Sequence, residues 1–346
     1  MITKEEHEFF IQLHLTESCN LKCKHCYQTG VLADEMSYQE IKALINEASG
    51  MLDEWSKIYN INFKRGFNIT GGEPFLRKDF QDIISETSAK GFDIYILTNG
   101  TLISRDSAKM LSYYMVKGIQ ISMEGPQGTH ESIRGSGSFD AALRGAGYLL
   151  DEGLTVTFNV TLSKLNDKYI EEMIETALSS GVQRIGFARL VPSGRGAVLL
   201  DKMLDKERLK AIYKKILSMK LKGLEIVTGD PIASQLSIES PELPDGFVPM
   251  GGCAAGLSGL TILPDGIILP CRRLPLPLGN VREDSLREVW AVSPVLEQIR
   301  DQFSYKGKCG SCSRWSICRG CRAIAYAYSK SMNNDDFLAE DPQCFI

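Results

Sequence analysis

The chain has 346 residues, enough for one large α/β unit plus a smaller module, since a single core rarely grows past about 250–300 residues. Its 39 basic and 43 acidic side chains leave a formal net charge of -4 with no basic block, which argues against nucleic acid as a partner. Neither a signal-peptide h-region nor an apolar run of about 20 residues occurs, so a soluble, cytoplasmic protein with no membrane partner is expected.

Between residues 10 and 230 short β-rich runs alternate with longer helical ones, the pattern of repeated βα units. The strand candidates are "FFIQLHLT" (9–16), "FNIT" (67–70), "DIYILTN" (93–99), "GIQISME" (118–124), "TVTFNVTL" (155–162) and "RIGFARL" (184–190), each followed by a helical stretch. Ser37 with Glu40 makes a capping box for a helix running to about Tyr59, and Asn166 and Asp205 read as N-caps of later helices. Six such units give either a doubly wound sheet or an incomplete barrel, and periodicity leaves that choice open. Either arrangement binds ligands at the C-terminal ends of its strands. After residue 230 the pattern changes. Residues 231–285 are rich in Pro and Gly, "LTILPDGIILP" reads as a hairpin turning at Pro264-Asp265-Gly266, and residues 305–346 are dense in Cys. Two domains are expected, 1–230 and 231–346.

Ten cysteines without a secretion signal point away from a disulfide framework and toward metal or redox chemistry. Three of them, Cys19, Cys23 and Cys26, follow the first strand; none occurs from 27 to 252; the other seven are Cys253, Cys271, Cys309, Cys312, Cys318, Cys321 and Cys344. A disulfide would leave one of the first three over, and structural zinc wants four ligands. Three thiolates on one short loop instead suit a metal or cluster that keeps one position open. The same rim of the second strand carries "NITGGEPFLR", where Gly71-Gly72 admits a close backbone approach and Glu73 adds an acceptor.

Together the CxxxCxxC loop and GGEP resemble the radical S-adenosylmethionine enzymes. The resemblance implies a partial (β/α)6 TIM-like barrel whose Cys19, Cys23 and Cys26 hold three irons of a four-iron four-sulfur cluster. The fourth iron then chelates S-adenosylmethionine (SAM), and reductive cleavage yields a 5'-deoxyadenosyl radical that abstracts hydrogen from substrate. By position, the resemblance also implies SAM contacts from Gly71, Gly72 and Glu73 (methionine ammonium), Tyr27 (adenine) and Thr98 and Asn99 (ribose). Ser122 becomes a candidate for the methionyl carboxylate or ribose, Arg134 a second candidate for the carboxylate, and Asn159 and Leu190 candidates for ribose and adenine. Strand-end packing is the competing reading for Ser122, Arg134, Asn159 and Leu190.

The later cysteines resemble a SPASM domain carrying two auxiliary clusters. That resemblance assigns Cys309, Cys312, Cys318 and Cys344 to a distal cluster and Cys253, Cys271 and Cys321 to a proximal one. Intercalated ligands would staple a segment too poor in apolar sequence to build its own core. The family's usual x3 spacing is x2 between Cys318 and Cys321, and no fourth proximal cysteine occurs between 254 and 270. Either a non-cysteine ligand completes the proximal cluster or its open iron binds substrate. Zinc on the C-terminal pairs is the competing metal.

SPASM-bearing relatives commonly modify peptides. The resemblance therefore implies a peptide or protein maturase fed by an electron donor such as flavodoxin or ferredoxin. The sulfatase-maturing branch is disfavoured because Cys271-Arg-Arg-Leu-Pro lacks its aspartate, and no room is seen before the first strand for a leader-binding domain. The alternative is cofactor or tetrapyrrole maturation, such as side-chain decarboxylation in a haem pathway, with Arg189, Arg195, Arg272 and Arg273 pairing with carboxylates. A non-catalytic iron-sulfur or zinc scaffold is the third reading. His25 reads as a surface or packing residue and His14 as facing the barrel interior; no catalytic acid or base is singled out.

Overall fold

The computed structural model describes residues 6–31, 34–236 and 251–346. Seven parallel strands follow one another in space as in sequence: β1 (Glu6–His14), β2 (Asn62–Thr70), β3 (Asp93–Thr98), β4 (Gly118–Ser122), β5 (Val156–Leu162), β6 (Arg184–Arg189) and β7 (Glu225–Val227). Helices α1 (Tyr38–Tyr59), α2 (Phe80–Ala89), α3 (Arg105–Tyr113), α4 (Gln127–Arg134), α5 (Ser138–Asp151), α6 (Ile170–Ser180) and α7 (Lys206–Ser218) make the crossovers. Because β1 and β7 do not pair, the sheet is a partial barrel rather than a closed one. Strand order was the feature periodicity left open.

Local chemistry explains the element ends. Ser37 and Glu40 form the expected reciprocal capping box, and Asn60 closes α1 in the left-handed conformation. Asp205 caps α7 through the Arg208 amide. Asn166 departs from the expected N-cap role, because its side chain is drawn into the strand ends. Its Oδ1 accepts from Ser163 N (3.0 Å), and its Nδ2 donates to Glu124 O and Thr161 O, both at 3.0 Å.

The expected hairpin is present as β8 (Gly259–Ile262) and β9 (Ile267–Leu269), with Gly266 at φ +85° in the turn. A short β10 (Gly279–Asn280) pairs with β9. What periodicity did not foretell is that β8 docks parallel against β1, Phe10 opposite Gly259 and Leu13 opposite Ile262. A Cβ on Gly259 would sit 2.1 Å from Phe10 O, so only glycine permits that approach. The C-terminal region thus continues the barrel's own sheet, and its helices α8 (Leu286–Val292) and α9 (Pro294–Arg300) place Leu286, Val289 and Leu296 in the main core. Helix α10 (Arg322–Ser331) follows.

Part of the Pro-rich stretch, 237–250, lies outside the described residues. Around the last cysteines the apolar core is thin: one satellite cluster has only Tyr305, Cys309, Trp315 and Leu338 buried. Such a core supports the expectation that ligands must staple this region. Among the described residues no helix is long and apolar enough to cross a membrane.

Candidate functional site

Strand β1 ends at His14 and leads through Thr16 into the cysteine loop, which is clamped by the end of β2. Gly72 N donates to Thr16 O (2.7 Å) and Glu73 N to Ser18 O (2.9 Å). A Cβ on Gly71 would lie 2.6 Å from Thr16 O, and one on Gly72 2.2 Å from Ser18 O. The close approach these glycines permit is therefore to the loop's own backbone. Glu73 is fully buried and ties β2 to β3, its carboxylate accepting from Thr98 Oγ1 (2.7 Å) and Asn99 N (2.8 Å). Burial outweighs these hydrogen bonds and pushes its pKa up to about 7.

Above the clamp a cavity opens at the barrel mouth. Cys19, Cys23 and Cys26 line it together with Tyr27, Gly71, Gly72, Thr98, Asn99, Ser122, Arg134 and Asn159. Glu73 lies behind the wall, and Leu190 packs in a satellite apolar cluster, leaving Val191 to face the cavity. N–H groups point at the sulfurs: Leu21 N is 3.4 Å and Asn99 Nδ2 3.9 Å from Cys19 Sγ, and Arg134 Nη1 is 3.6 Å from Cys23 Sγ. Burial pushes the Cys19 and Cys23 thiols up, a cost that metal coordination reverses.

Arg134 is held by a carboxylate that the sequence did not single out. Glu124 is fully buried and accepts from Arg134 Nη2 (2.6 Å) and Nε (3.1 Å), from His25 Nε2 (2.9 Å) and from Thr161 N (2.9 Å). Burial alone would raise its pKa, but His25 and Arg134 outweigh that and hold the carboxylate well below its ordinary range. His25, expected as a surface or packing residue, is therefore the loop's link to β4. The available signal was an acidic residue two places after Ser122 at the end of an apolar strand.

Arginines lining the cavity divide into spent and unspent. Arg189 gives its guanidinium to Asp230 (Nε, 2.5 Å; Nη2, 2.9 Å) and Asp341 (Nη1 and Nη2, both 2.8 Å), so it has no fork left for a substrate carboxylate. Arg272 and Arg273 follow β9 just after Cys271 and line the cavity together with Arg195. Among the described residues none of these three has a carboxylate within ion-pair distance; Arg272 stacks over Tyr27, 5.6 Å from the ring centre, and Arg273 Nε is buried without a partner. Burial lowers the pKa of Arg272. His14 is fully buried beside Tyr27 with both ring nitrogens unpartnered, and burial and then Arg272 lower its pKa to about 3, leaving the imidazole neutral.

All ten cysteines are free thiols. Several of the C-terminal seven stand near one another. Cys344 and Cys318 both push the Cys309 thiol up, after burial, whereas Cys321 feels Cys253, and Arg273 stands near Cys321 and Cys271. Among the described residues no three His, Cys, Asp or Glu side chains close on a single metal ion.

The Radical SAM superfamily model matches residues 13–177, and the SPASM iron-sulfur cluster-binding model matches 253–322. Over 96% of its length the chain is 32% identical to an AdoMet-dependent heme synthase of Nitratidesulfovibrio vulgaris, covering 91% of that protein. The chain belongs to the radical SAM superfamily. This radical SAM enzyme is also 29% identical, over 95% of its length and 81% of the relative's, to the mycofactocin maturase MftC of Mycolicibacterium smegmatis. Its fold matches Streptococcus suis SuiB bound to the precursor peptide SuiA at a TM-score of 0.77 and 19% identity, covering 98% of this chain and 76% of that one. Its cofactors are four-iron four-sulfur clusters and SAM. The donor set fits: three free thiols on one loop, two of them with N–H donors aimed at their sulfurs, face an open cavity at the strand ends.

Proposed function

We propose that this radical SAM enzyme removes hydrogen from a carboxylate-bearing tetrapyrrole side chain and releases the carboxyl group as CO2. The observation that carries the reading is that Arg195, Arg272 and Arg273 line the same cavity as the cysteine loop with no carboxylate at ion-pair distance among the described residues, the Nε atoms of Arg195 and Arg273 being buried without a partner. Cations without partners in a partly desolvated site favour anionic ligands, and guanidinium forks match carboxylates in particular. The relatives named heme synthase support the same substrate class.

In this reading Cys19, Cys23 and Cys26 hold the SAM-binding cluster, Cys309, Cys312, Cys318 and Cys344 the distal one, and Cys253, Cys271 and Cys321 the proximal one. Gly71, Gly72, Thr98, Asn99, Ser122, Asn159 and Tyr27 frame the SAM site; Glu73 sets the loop beneath it, and Leu190 backs the wall. Arg134 holds Cys23 and Glu124. When bound, the cofactor pair supplies a carbon radical able to take a hydrogen atom from an unactivated C–H bond. A propionate that loses one hydrogen atom, CO2 and one electron becomes a vinyl group. Arg273 would hold the carboxylate beside Cys271 and Cys321, where an electron acceptor is needed. A flavodoxin or ferredoxin is the proposed reductant.

Peptide maturation is the second reading, favoured by the similarity to MftC over 95% of the chain. The test is anaerobic turnover with SAM and reductant on two substrate arms, an iron porphyrin bearing propionates and peptides encoded near the gene. Loss of CO2 and two hydrogens per porphyrin side chain supports the first reading. A mass change confined to a peptide would replace it with the second.

A further inference from the structure

Gln235 lies in the helical turn Pro231–Leu236 that leaves the barrel, and nothing in the reading above uses it. Its side-chain amide sits between two cysteines that are 26 positions apart in sequence, Cys318 and Cys344. Nε2 is 3.4 Å from Cys318 Sγ and 3.5 Å from Cys344 Sγ. The orientation of the amide is fixed from the other side, because the backbone N–H of Phe345 donates to Oε1 at 3.0 Å. With the oxygen so engaged, the NH2 must face the sulfurs, and its two hydrogens match two sulfur acceptors. Cys318 receives a further donor, Gly320 N at 3.5 Å.

We propose that Gln235 sets the reduction potential of the iron-sulfur cluster held by Cys309, Cys312, Cys318 and Cys344, donating one N–H to each of two of its sulfurs. The proposal rests on the distal ligand set given above. Reduction adds negative charge that spreads onto the ligand sulfurs, and donors aimed at those sulfurs favour the reduced state and raise the potential. Cys318 is buried, so solvent screens the effect little. A neutral amide does this without importing a charge, whereas a carboxylate at 235 would oppose reduction.

The test uses the full chain, reconstituted anaerobically with Cys19, Cys23 and Cys26 replaced by Ala so that only the C-terminal clusters report. Iron, sulfide and zinc are counted first, then each cluster's midpoint is read from an EPR-monitored redox titration. Gln235→Leu is expected to keep its iron while one midpoint moves negative and the other stays; Gln235→Glu should move the same signal further. A Cys312→Ser replacement should perturb that same signal. Unchanged midpoints at full iron content overturn the proposal, as does iron loss from both Gln235 variants, which would make the residue a structural clamp. A Gln235 shift on a signal that Cys312→Ser leaves alone overturns the ligand set. Zinc in place of iron overturns both, and metal analysis alone would reveal it.

Discussion

Replacing Asp341 by Asn should loosen the whole C-terminal segment. Its carboxylate, 2% exposed, accepts four N–H groups: Arg189 Nη1 (2.8 Å) and Gln343 N (3.0 Å) on Oδ1, Arg189 Nη2 (2.8 Å) and Cys321 N (2.8 Å) on Oδ2. An asparagine must turn its NH2 toward one of these donor pairs, and flipping the amide merely exchanges one pair for the other. Breaking a buried ion pair by removing one partner costs about 3–5 kcal/mol. Arg189 keeps Asp230, so the lower end, about 3 kcal/mol, is expected, roughly a hundredfold in the opening equilibrium. Hydrogen exchange followed by mass spectrometry over residues 321–346 measures it, with Asp341→Asn exchanging about a hundredfold faster there and unchanged in α1 and α2. The pH dependence gives a second handle. Burial would raise the Asp341 pKa, but Arg189 and the amide donors outweigh it and hold the value below the ordinary one. Its stabilisation is therefore present above the unfolded pKa, about 3.9, and is lost as pH falls through the folded value. The gap between wild type and Asp341→Asn should narrow on acidification. Equal exchange rates in the two proteins at pH 7 would refute the reasoning.

Gly72→Ala should strip the N-terminal cluster of its iron while the C-terminal iron stays, because the added Cβ meets backbone at 2.2 Å that no rotamer change relieves; overpacking of this kind costs about 1–3 kcal/mol. Glu73, with a folded pKa near 7 against an ordinary 4.5, makes stability fall as pH rises from about 4.5 to 7; thermal melts of Glu73→Gln should lack that slope. Glu124→Gln leaves Arg134 without its carboxylate and should cost about 3–5 kcal/mol in denaturant melts, since a neutral side-chain amide has only one oxygen to offer both Arg134 and the Thr161 N–H. Arg272→Met should raise KM for the carboxylate substrate about 10- to 100-fold, the worth of a hydrogen bond to a charged group, with substrate-independent SAM cleavage unchanged; an unaltered KM would remove Arg272 from the binding site.

Much of this molecule was legible in one dimension. The alternating runs placed six of the parallel strands, the Ser37 and Glu40 pair marked the start of α1, and Pro264-Asp265-Gly266 marked the hairpin turn. Each is a local property, fixed by period or by residues within a few places of one another. Cysteine spacing likewise marked the loop that lines the cavity, since CxxxCxxC is read within eight residues. The short β7 escaped because a three-residue strand carries too little periodicity, and its inward neighbours reveal it only once β6 is in place.

The sequence by itself thus determined the chemistry class, through the CxxxCxxC loop and the GGEP segment that carry the radical SAM signature. Tertiary structure alone decided which arginines at the cavity stay without a carboxylate partner among the described residues. Arg189 and Arg272 look alike in the chain, yet Arg189 meets Asp341 152 residues away and is spent, while Arg272 meets an aromatic ring and is not. The docking of β8 on β1, the Glu124 bridge from His25 to Arg134, and the Gln235 amide between Cys318 and Cys344 are of the same kind. Such pairings join residues that no period or spacing relates, and they exist only after the barrel has brought its strand ends together.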